Sequence, residues 1–129
     1  MFTSLHQEVD FAASPERVYV ALTSQEQFQA MTNAPAELDA RVGGAFALFG
    51  GIITGYNLEM VPNQRLVQAW RVGNWPEGMY SIVRFDLSPA GAGAKLLFDH
   101  SGITEDMLGH LDGGWHKMYW QPLAKSLAE

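Results

Sequence analysis

Glycine pairs and single glycines divide residues 37–100 into short runs rich in valine, isoleucine, phenylalanine, tyrosine and tryptophan. β-Branched and aromatic residues fit the pleated surface of a sheet, and glycine marks the turns between strands. Short runs with apolar residues at every second position are typical of an antiparallel meander. The pattern predicts six strands, at residues 37–42, 45–50, 52–61, 65–72, 79–88 and 94–100.

Alternation along each predicted strand indicates which side chains share a face of the sheet. Trp70 is assigned to the inner face and Arg71 to the outer face, because an indole buries more apolar area and a guanidinium prefers water. Phe98 and His100 share the inner face of the last strand by the same alternation. In the strand at 52–61 the more apolar alternating set, assigned inward, is Ile52, Thr54, Tyr56, Leu58 and Met60.

Two short helices are predicted between a first strand at residues 3–11 and the meander. Ser14 can cap a helix at 15–23, and Pro15 suits the first helical position because the amide it lacks would be unpaired there. A second helix is expected near 25–32, and Pro35 ends this helical region.

The last 26 residues are predicted to form one long helix that begins after Thr104 as its N-cap. Apolar residues recur at helical spacing and give it one broad apolar face: Met107, Leu108, Leu111, Trp115, Met118, Tyr119 and Leu123. The pair Gly113-Gly114 costs about 2 kcal/mol of helix stability relative to alanine, and Pro122 about 3 more. Either the glycines allow close packing against the sheet, or the helix breaks or kinks, with Pro122 as the favoured place.

Composition narrows the functional classes. A chain of 129 residues fits one domain, here residues 1–129. Its net charge of -6 argues against nucleic acid and acidic membranes as partners. It has no cysteine, and its histidines show no metal-ligand spacing, so no metal or other cofactor is expected. No run of about 20 apolar residues and no secretory signal is present, so a cytoplasmic location is expected.

The order of elements and six short motifs resemble a known family. The matching segments are residues 13–19 (ASPERVY), 43–46 (GGAF), Gly51 with Gly55, Leu66-Val67 with Trp70-Arg71, 98–102 (FDHSG), and Gly114-Trp115 followed by Leu123. Together they are similar to the START-like, or SRPBCC, superfamily. Within it, the chain resembles the heat-shock-protein-90 ATPase activator-like domain, and the likeness covers almost the whole sequence.

The resemblance implies an α+β helix-grip fold, in which a curved antiparallel sheet of about six to seven strands wraps around the C-terminal helix. It also implies a hydrophobic cavity between helix and sheet that holds a small apolar or amphipathic molecule. No catalytic set is carried over, because members of the superfamily differ widely in function. The residues expected to line the cavity are Phe46, Leu48, Tyr56, Trp70, Val83, Phe85, Phe98, His100, Leu111, Trp115 and Met118.

Several alternatives stay open at this point. His100 is interpreted as a core histidine, or as a proton-transfer group acting with Tyr56 in a cyclase or hydrolase. The aromatic set is either cavity lining or core filler. Glu59 is an outward carboxylate or the partner of Arg84. Trp75, in a predicted hairpin loop, guards the cavity mouth or contacts a protein, which includes a chaperone and a second copy in a homodimer.

Overall fold

The computed structural model describes residues 2–128. Its seven strands form one antiparallel sheet with the order β1, β7, β6, β5, β4, β3, β2. The strands are β1 (Phe2–Phe11), β2 (Glu37–Leu38), β3 (Ala45–Leu48), β4 (Ile53–Val61), β5 (Arg65–Val72), β6 (Ser81–Ala90) and β7 (Gly93–Thr104). The predicted helix-grip architecture is confirmed, because this curved sheet encloses the C-terminal helical segment.

The two short helices have the predicted bounds, α1 (Pro15–Thr23) and α2 (Gln25–Thr32). Each begins at a serine whose side chain accepts a hydrogen bond from a backbone amide of the first turn. Val18, Ala21 and Leu22 are buried on the inner face of α1. The helix packs on β6, β7 and the end of the C-terminal segment, so it closes one end of the sheet.

The observed strand ends differ most from the predicted ones around β2. The predicted strand at 37–42 is only two residues long, because residues 39–44 form a loop held by the buried side chain of Asn57. The Asn57 amide donates to the backbone carbonyl of Asp39 at 2.9 Å. The strand predicted at 45–50 ends at Leu48, since Phe49–Gly51 form a short 3₁₀ turn. The strand predicted at 94–100 extends to Thr104 as β7.

The inner face of β4 was assigned wrongly. Tyr56 and Leu58 are exposed, whereas Gly55 and Asn57 are buried. The ring of Phe46, which pairs with Gly55 across β3 and β4, occupies the place that a side chain at Gly55 would need. A bulge between Asn57 and Glu59 then reverses the alternation. The apolar content of the alternating residues indicated the wrong face of β4. The inner positions hold Gly55, which lies under the ring of Phe46, and Asn57, whose amide is hydrogen-bonded.

The C-terminal segment is helical throughout but not regular. It comprises α3 (Glu105–Trp115), a π-helical turn (His116–Trp120) and α4 (Gln121–Leu127). The amide of Gln121 donates to the carbonyl of His116, five residues earlier. The wider turn ends at Trp120, two residues before Pro122, whose ring would clash with the preceding turn of a regular α-helix. The helical segment continues through Pro122, so the alternative of a break there is wrong, and the irregularity is a π turn at residues 116–120.

Thr104 precedes α3 as its N-cap residue, but its hydroxyl donates to the carboxylate of Asp106 and caps no amide. The helix is attached to β1 by Gln7, whose amide donates to the Asp112 carboxylate at 2.9 Å. The oxygen of the same amide accepts a hydrogen bond from the indole of Trp120 at 2.6 Å. One buried glutamine thus connects the first strand to both α3 and the π turn.

Candidate functional site

Hydrogen bonds connect Trp115, His100, Ser81 and Trp70 in the interior. The indole Nε1–H of Trp115 donates to Nδ1 of His100 at 3.0 Å, and Nε2 of His100 lies 2.7 Å from Oγ of Ser81. The Ser81 hydroxyl donates to the backbone carbonyl of Trp70 at 3.0 Å. Because an indole cannot accept and Ser81 has one proton to give, this arrangement requires neutral His100 with its proton on Nε2.

Burial lowers the pKa of His100 to about 4, since the charged ring would lose its water. The side chain is 0% exposed and both ring nitrogens are engaged. The interpretation as a core histidine is confirmed, but its ring nitrogens bond to the side chains of Trp115 and Ser81, where backbone partners were expected. The enzyme geometry with Tyr56 is not assembled, because Tyr56 lies on the outer face of β4 and His100 on the inner face of β7.

Aromatic side chains fill the space between the sheet and the C-terminal helix. Trp115 lies at the centre, with ring centroids 4.3 Å from Phe98, 4.3 Å from Tyr119 and 5.2 Å from Trp70. Burial raises the pKa of Tyr119, and a hydrogen bond from the Trp70 indole opposes this increase. This part of the predicted cavity is therefore packed core.

Open space lies beside this core, in a groove of about 940 Å³ that we call the α3 groove. One wall is α3 with the π turn, and the other is the loop of residues 73–80 together with the residues around the start of β4. Trp70, Val72 and Leu111 belong to its lining. Its other apolar lining residues are Phe49, Ile52, Ile53, Trp75, Pro76, Met107, Trp115, Met118 and Tyr119.

The glycines of α3 lie along this groove. Gly109, Gly113 and Gly114 all belong to the lining. A Cβ atom placed on any of the three meets no atom within 4 Å. The prediction that Gly113-Gly114 allows close packing against the sheet is therefore wrong. These glycines leave space in the groove that side chains would otherwise occupy.

Polar groups of the groove are few and come mainly from one side. Asp106, His110 and Lys117 belong to the helical wall, and Asn74 belongs to the facing loop. Asp106, His110 and Lys117 are exposed, so they remain solvated. The groove therefore combines an apolar surface with a small number of hydrogen-bonding and charged groups, as small-molecule sites commonly do.

Four of the predicted cavity residues line the α3 groove: Trp70, Leu111, Trp115 and Met118. Others are buried in the core and do not border it, namely Phe46, Leu48, Val83, Phe85, Phe98 and His100. Tyr56 is 46% exposed on the outer face, so its inward placement was wrong. Sequence reasoning missed Phe49 and Ile53 as lining residues, because it predicted a strand through residue 50 where Phe49–Gly51 form a 3₁₀ turn.

The other predictions from the sequence concern the carboxylate of Glu59, metal binding and membrane spans. Glu59 is outward and accepts a hydrogen bond from Arg65 at 3.0 Å, whereas Arg84 pairs with Asp86. Residues 2–128 contain no cluster of three histidine, aspartate or glutamate side chains arranged to hold a metal ion. Over the same residues, none of the helices has the length and apolar character needed to span a membrane.

Comparison with known proteins identifies the family to which this chain belongs. The family model described as Activator of Hsp90 ATPase homolog 1-like protein matches residues 12–128. The chain belongs to this family. Its relatives in the Activator of Hsp90 ATPase homolog 1-like family include the human Activator of 90 kDa heat shock protein ATPase homolog 1, which is 31% identical over 116 residues. That match covers 90% of this chain and 34% of the human protein.

Other family members and solved structures agree with this assignment. The mouse Activator of 90 kDa heat shock protein ATPase homolog 2 is 32% identical over 126 residues, which are 98% of this chain and 38% of that protein. The chain thus spans about a third of the length of these curated relatives. An HSP90 activator from Plasmodium falciparum superposes with a TM-score of 0.86 at 26% identity, covering 92% of this chain and 91% of that one.

A second solved structure, CalU16 from Micromonospora echinospora, has a TM-score of 0.83 at 26% identity. It covers 98% of this chain and 76% of that one. The START-like fold and the Hsp90 ATPase activator-like family predicted from the six motifs are therefore confirmed.

Proposed function

We propose that this domain binds a small apolar or amphipathic molecule in the α3 groove. The glycines of α3 are the observation that carries the proposal. Each glycine in a helix costs about 1 kcal/mol relative to alanine. Since Gly109, Gly113 and Gly114 each face open space, no close packing compensates for this cost. A need to keep the groove open for a ligand explains why three glycines occupy these helical positions.

The size and chemistry of the α3 groove support the same proposal. Its volume of about 940 Å³ lies within the range of roughly 300–1,000 Å³ typical of small-molecule sites. Met107, Met118 and Trp75 offer flexible and aromatic surface to an apolar body. Lys117 and His110 lie where a polar end of the same molecule would meet them. An amphipathic ligand would satisfy both kinds of lining.

Titration with the neutral fluorescent probe N-phenyl-1-naphthylamine tests this function. The probe should bind wild-type protein with enhanced emission. Gly114→Leu, which places a side chain in the groove, should weaken binding roughly tenfold or more, equivalent to about 1.4 kcal/mol. Ala124→Leu is the matched control, because Ala124 is exposed on α4 and does not line the groove.

Comparing the two variants distinguishes a loss of probe affinity caused by filling the groove from one caused by any added leucine on the helical segment. Equal affinity of wild-type protein, Gly114→Leu and Ala124→Leu would contradict binding in the groove. No response of wild-type protein to this probe or to a panel of fatty acids and flat aromatics would contradict the proposed function itself. Far-ultraviolet circular dichroism of all three proteins should show the same helical content.

A second candidate function is docking on an Hsp90-type chaperone ATPase. The names of the human and mouse relatives favour it. So does a cluster of exposed apolar side chains on the outer sheet face, which we call the outer-face cluster: Tyr56, Leu58, Tyr80 and Ile82, between 39% and 47% exposed. Exposed apolar patches of this kind often contact other proteins.

The ATPase rate of a purified Hsp90-type chaperone distinguishes this second function from the first. The domain should stimulate that rate, and Leu58→Ser combined with Ile82→Ser should abolish the stimulation. Gly114→Leu should leave it unchanged, because the groove lies on the other side of the sheet. Stimulation lost in Gly114→Leu and kept in the double variant would contradict docking through the outer-face cluster.

A further inference from the structure

The loop of residues 73–80, between β5 and β6, contributes Asn74, Trp75 and Pro76 to one wall of the α3 groove. Trp75 is its largest side chain and is partly buried. Its ring lies 5.8 Å from that of Trp70, edge to face, so the indole stands against the core on the groove side. The position of Trp75 therefore determines how wide the groove is at this wall.

Arg71 holds this loop from the opposite face of the sheet. Its Nη2 donates to the backbone carbonyls of Trp75 at 2.8 Å and Pro76 at 3.3 Å, and its Nε donates to the carbonyl of Met79 at 3.3 Å. The guanidinium carbon also lies 5.9 Å above the ring of Tyr80. One side chain thus binds both ends of the loop.

The chemistry of Arg71 differs from that of the other arginines on the outer face. Arg65 and Arg84 both pair with the carboxylate of Asp86. For Arg71, no carboxylate within residues 2–128 comes close enough to form a salt bridge. Its planar guanidinium instead donates from two separate nitrogens, Nε and Nη2, to three loop carbonyls, whereas lysine carries all of its donors on one nitrogen.

We propose that Arg71 is a positioning residue that fixes Trp75 and so sets the width of the α3 groove. This inference rests on the proposed ligand-binding function, because it assigns a role to one wall of that site. Without the Arg71 guanidinium, the carbonyls of the loop would hydrogen-bond to water, and the loop would move away from Trp70 more often. Losing one charged hydrogen bond shifts such an equilibrium by roughly tenfold.

Nitrogen–proton NMR spectra of the four tryptophan indoles provide the test. The indoles of Trp70, Trp115 and Trp120 donate to Tyr119, His100 and Gln7, so their signals report on the core. Arg71→Lys should move the Trp75 signal and make its hydrogen exchange roughly tenfold faster, with the Trp115 and Trp120 signals unchanged. The Trp70 signal should shift by a smaller amount, because the Trp75 ring lies against it. Arg84→Lys is the matched control and should leave all four signals in place.

The dissociation rate of the fluorescent probe gives a second measurement, made on the α3 groove itself. N-phenyl-1-naphthylamine should dissociate roughly tenfold faster from Arg71→Lys than from wild-type protein. An unchanged Trp75 signal in Arg71→Lys, or equal movement of all four indoles, would overturn the inference. Should Arg71→Lys fail to fold, Arg71→Met decides by the same criterion, because it keeps an unbranched side chain and removes every donor to the loop carbonyls.

The two readouts distinguish the two proposals. If wild-type protein binds neither the probe nor the panel of fatty acids and flat aromatics, ligand binding in the groove is wrong, while the Trp75 signal still decides whether Arg71 positions the loop. If the probe binds equally well to wild-type protein and Arg71→Lys and Trp75 does not move, only the role of Arg71 is wrong.

Discussion

The indole of Trp115 and the imidazole of His100 lie 3.0 Å apart, joined by a hydrogen bond in which the indole is the donor. Protonated His100 would present an N–H group to that indole N–H, so the bond exists only with neutral histidine. The helix is thereby joined to the sheet through a contact that depends on pH.

This contact predicts that stability falls in mild acid. The pKa of His100 is lowered to about 4 in the folded protein, from an ordinary value of 6.5. The unfolded chain therefore binds the proton more readily between these two values, and stability is lost as pH falls from about 6.5 to about 4. The expected loss from this residue between pH 7 and pH 4 is about 3 kcal/mol.

Urea unfolding of wild-type protein and His100→Gln at both pH values checks this loss. The glutamine amide of the variant can accept from Trp115 and donate to Ser81 without a titratable proton. The stability difference between the two proteins should therefore change by about 3 kcal/mol in favour of the variant. A difference that stays constant from pH 7 to pH 4 would show that His100 titrates normally.

Gly113→Ala is expected to stabilise the domain. Its Cβ meets no atom within 4 Å, so alanine gains up to about 1 kcal/mol of helix propensity without a clash. Gly55→Ala is the contrasting variant, because its Cβ would overlap the carbonyl oxygen of Ala69 and lie 2.6 Å from Phe46 Cζ. Thermal unfolding should rank Gly113→Ala above and Gly55→Ala below wild-type protein. The reverse order would refute the open space beside α3.

Gln7→Ala should destabilise the domain by about 1–3 kcal/mol, because it leaves the buried indole of Trp120 without an acceptor. Gln7→Glu keeps an acceptor for Trp120 but places a carboxylate near that of Asp112, so its loss of stability relative to wild-type protein at the same pH should be larger at pH 7 than at pH 4. Urea unfolding from pH 7 to pH 4 measures both effects. Wild-type stability in both variants would mean that the network contributes nothing.

Sequence alone predicted the fold well where one local rule decided the outcome. Both short helices were correctly bounded. The predicted cap Ser14 accepts from the amide of Arg17, and Ser24, which was not predicted as a cap, accepts from that of Gln27. The inner placement of Trp70 and the outer placement of Arg71 were also correct. The six motifs predicted the family.

The site was predicted less well, because its shape depends on how distant segments meet. Tyr56 lies outside since Phe46 covers Gly55 from the next strand, which no pattern within β4 indicates. The large inner aromatic side chains could equally have lined a cavity or filled it. Only their mutual distances, such as 4.3 Å between the Phe98 and Trp115 rings, show that they fill it. Helical glycines were the available signal of the groove.

The most direct test of the account is to map where N-phenyl-1-naphthylamine binds by amide chemical-shift changes in the wild-type protein. Ligand binding in the α3 groove predicts the largest changes at Trp75, Gly109, Gly113 and Met118, all of which line it. Changes centred on Val83, Phe85 and Phe98 would place the probe in the packed interior, and changes on the outer-face cluster would place it outside. Either result would contradict binding in the α3 groove.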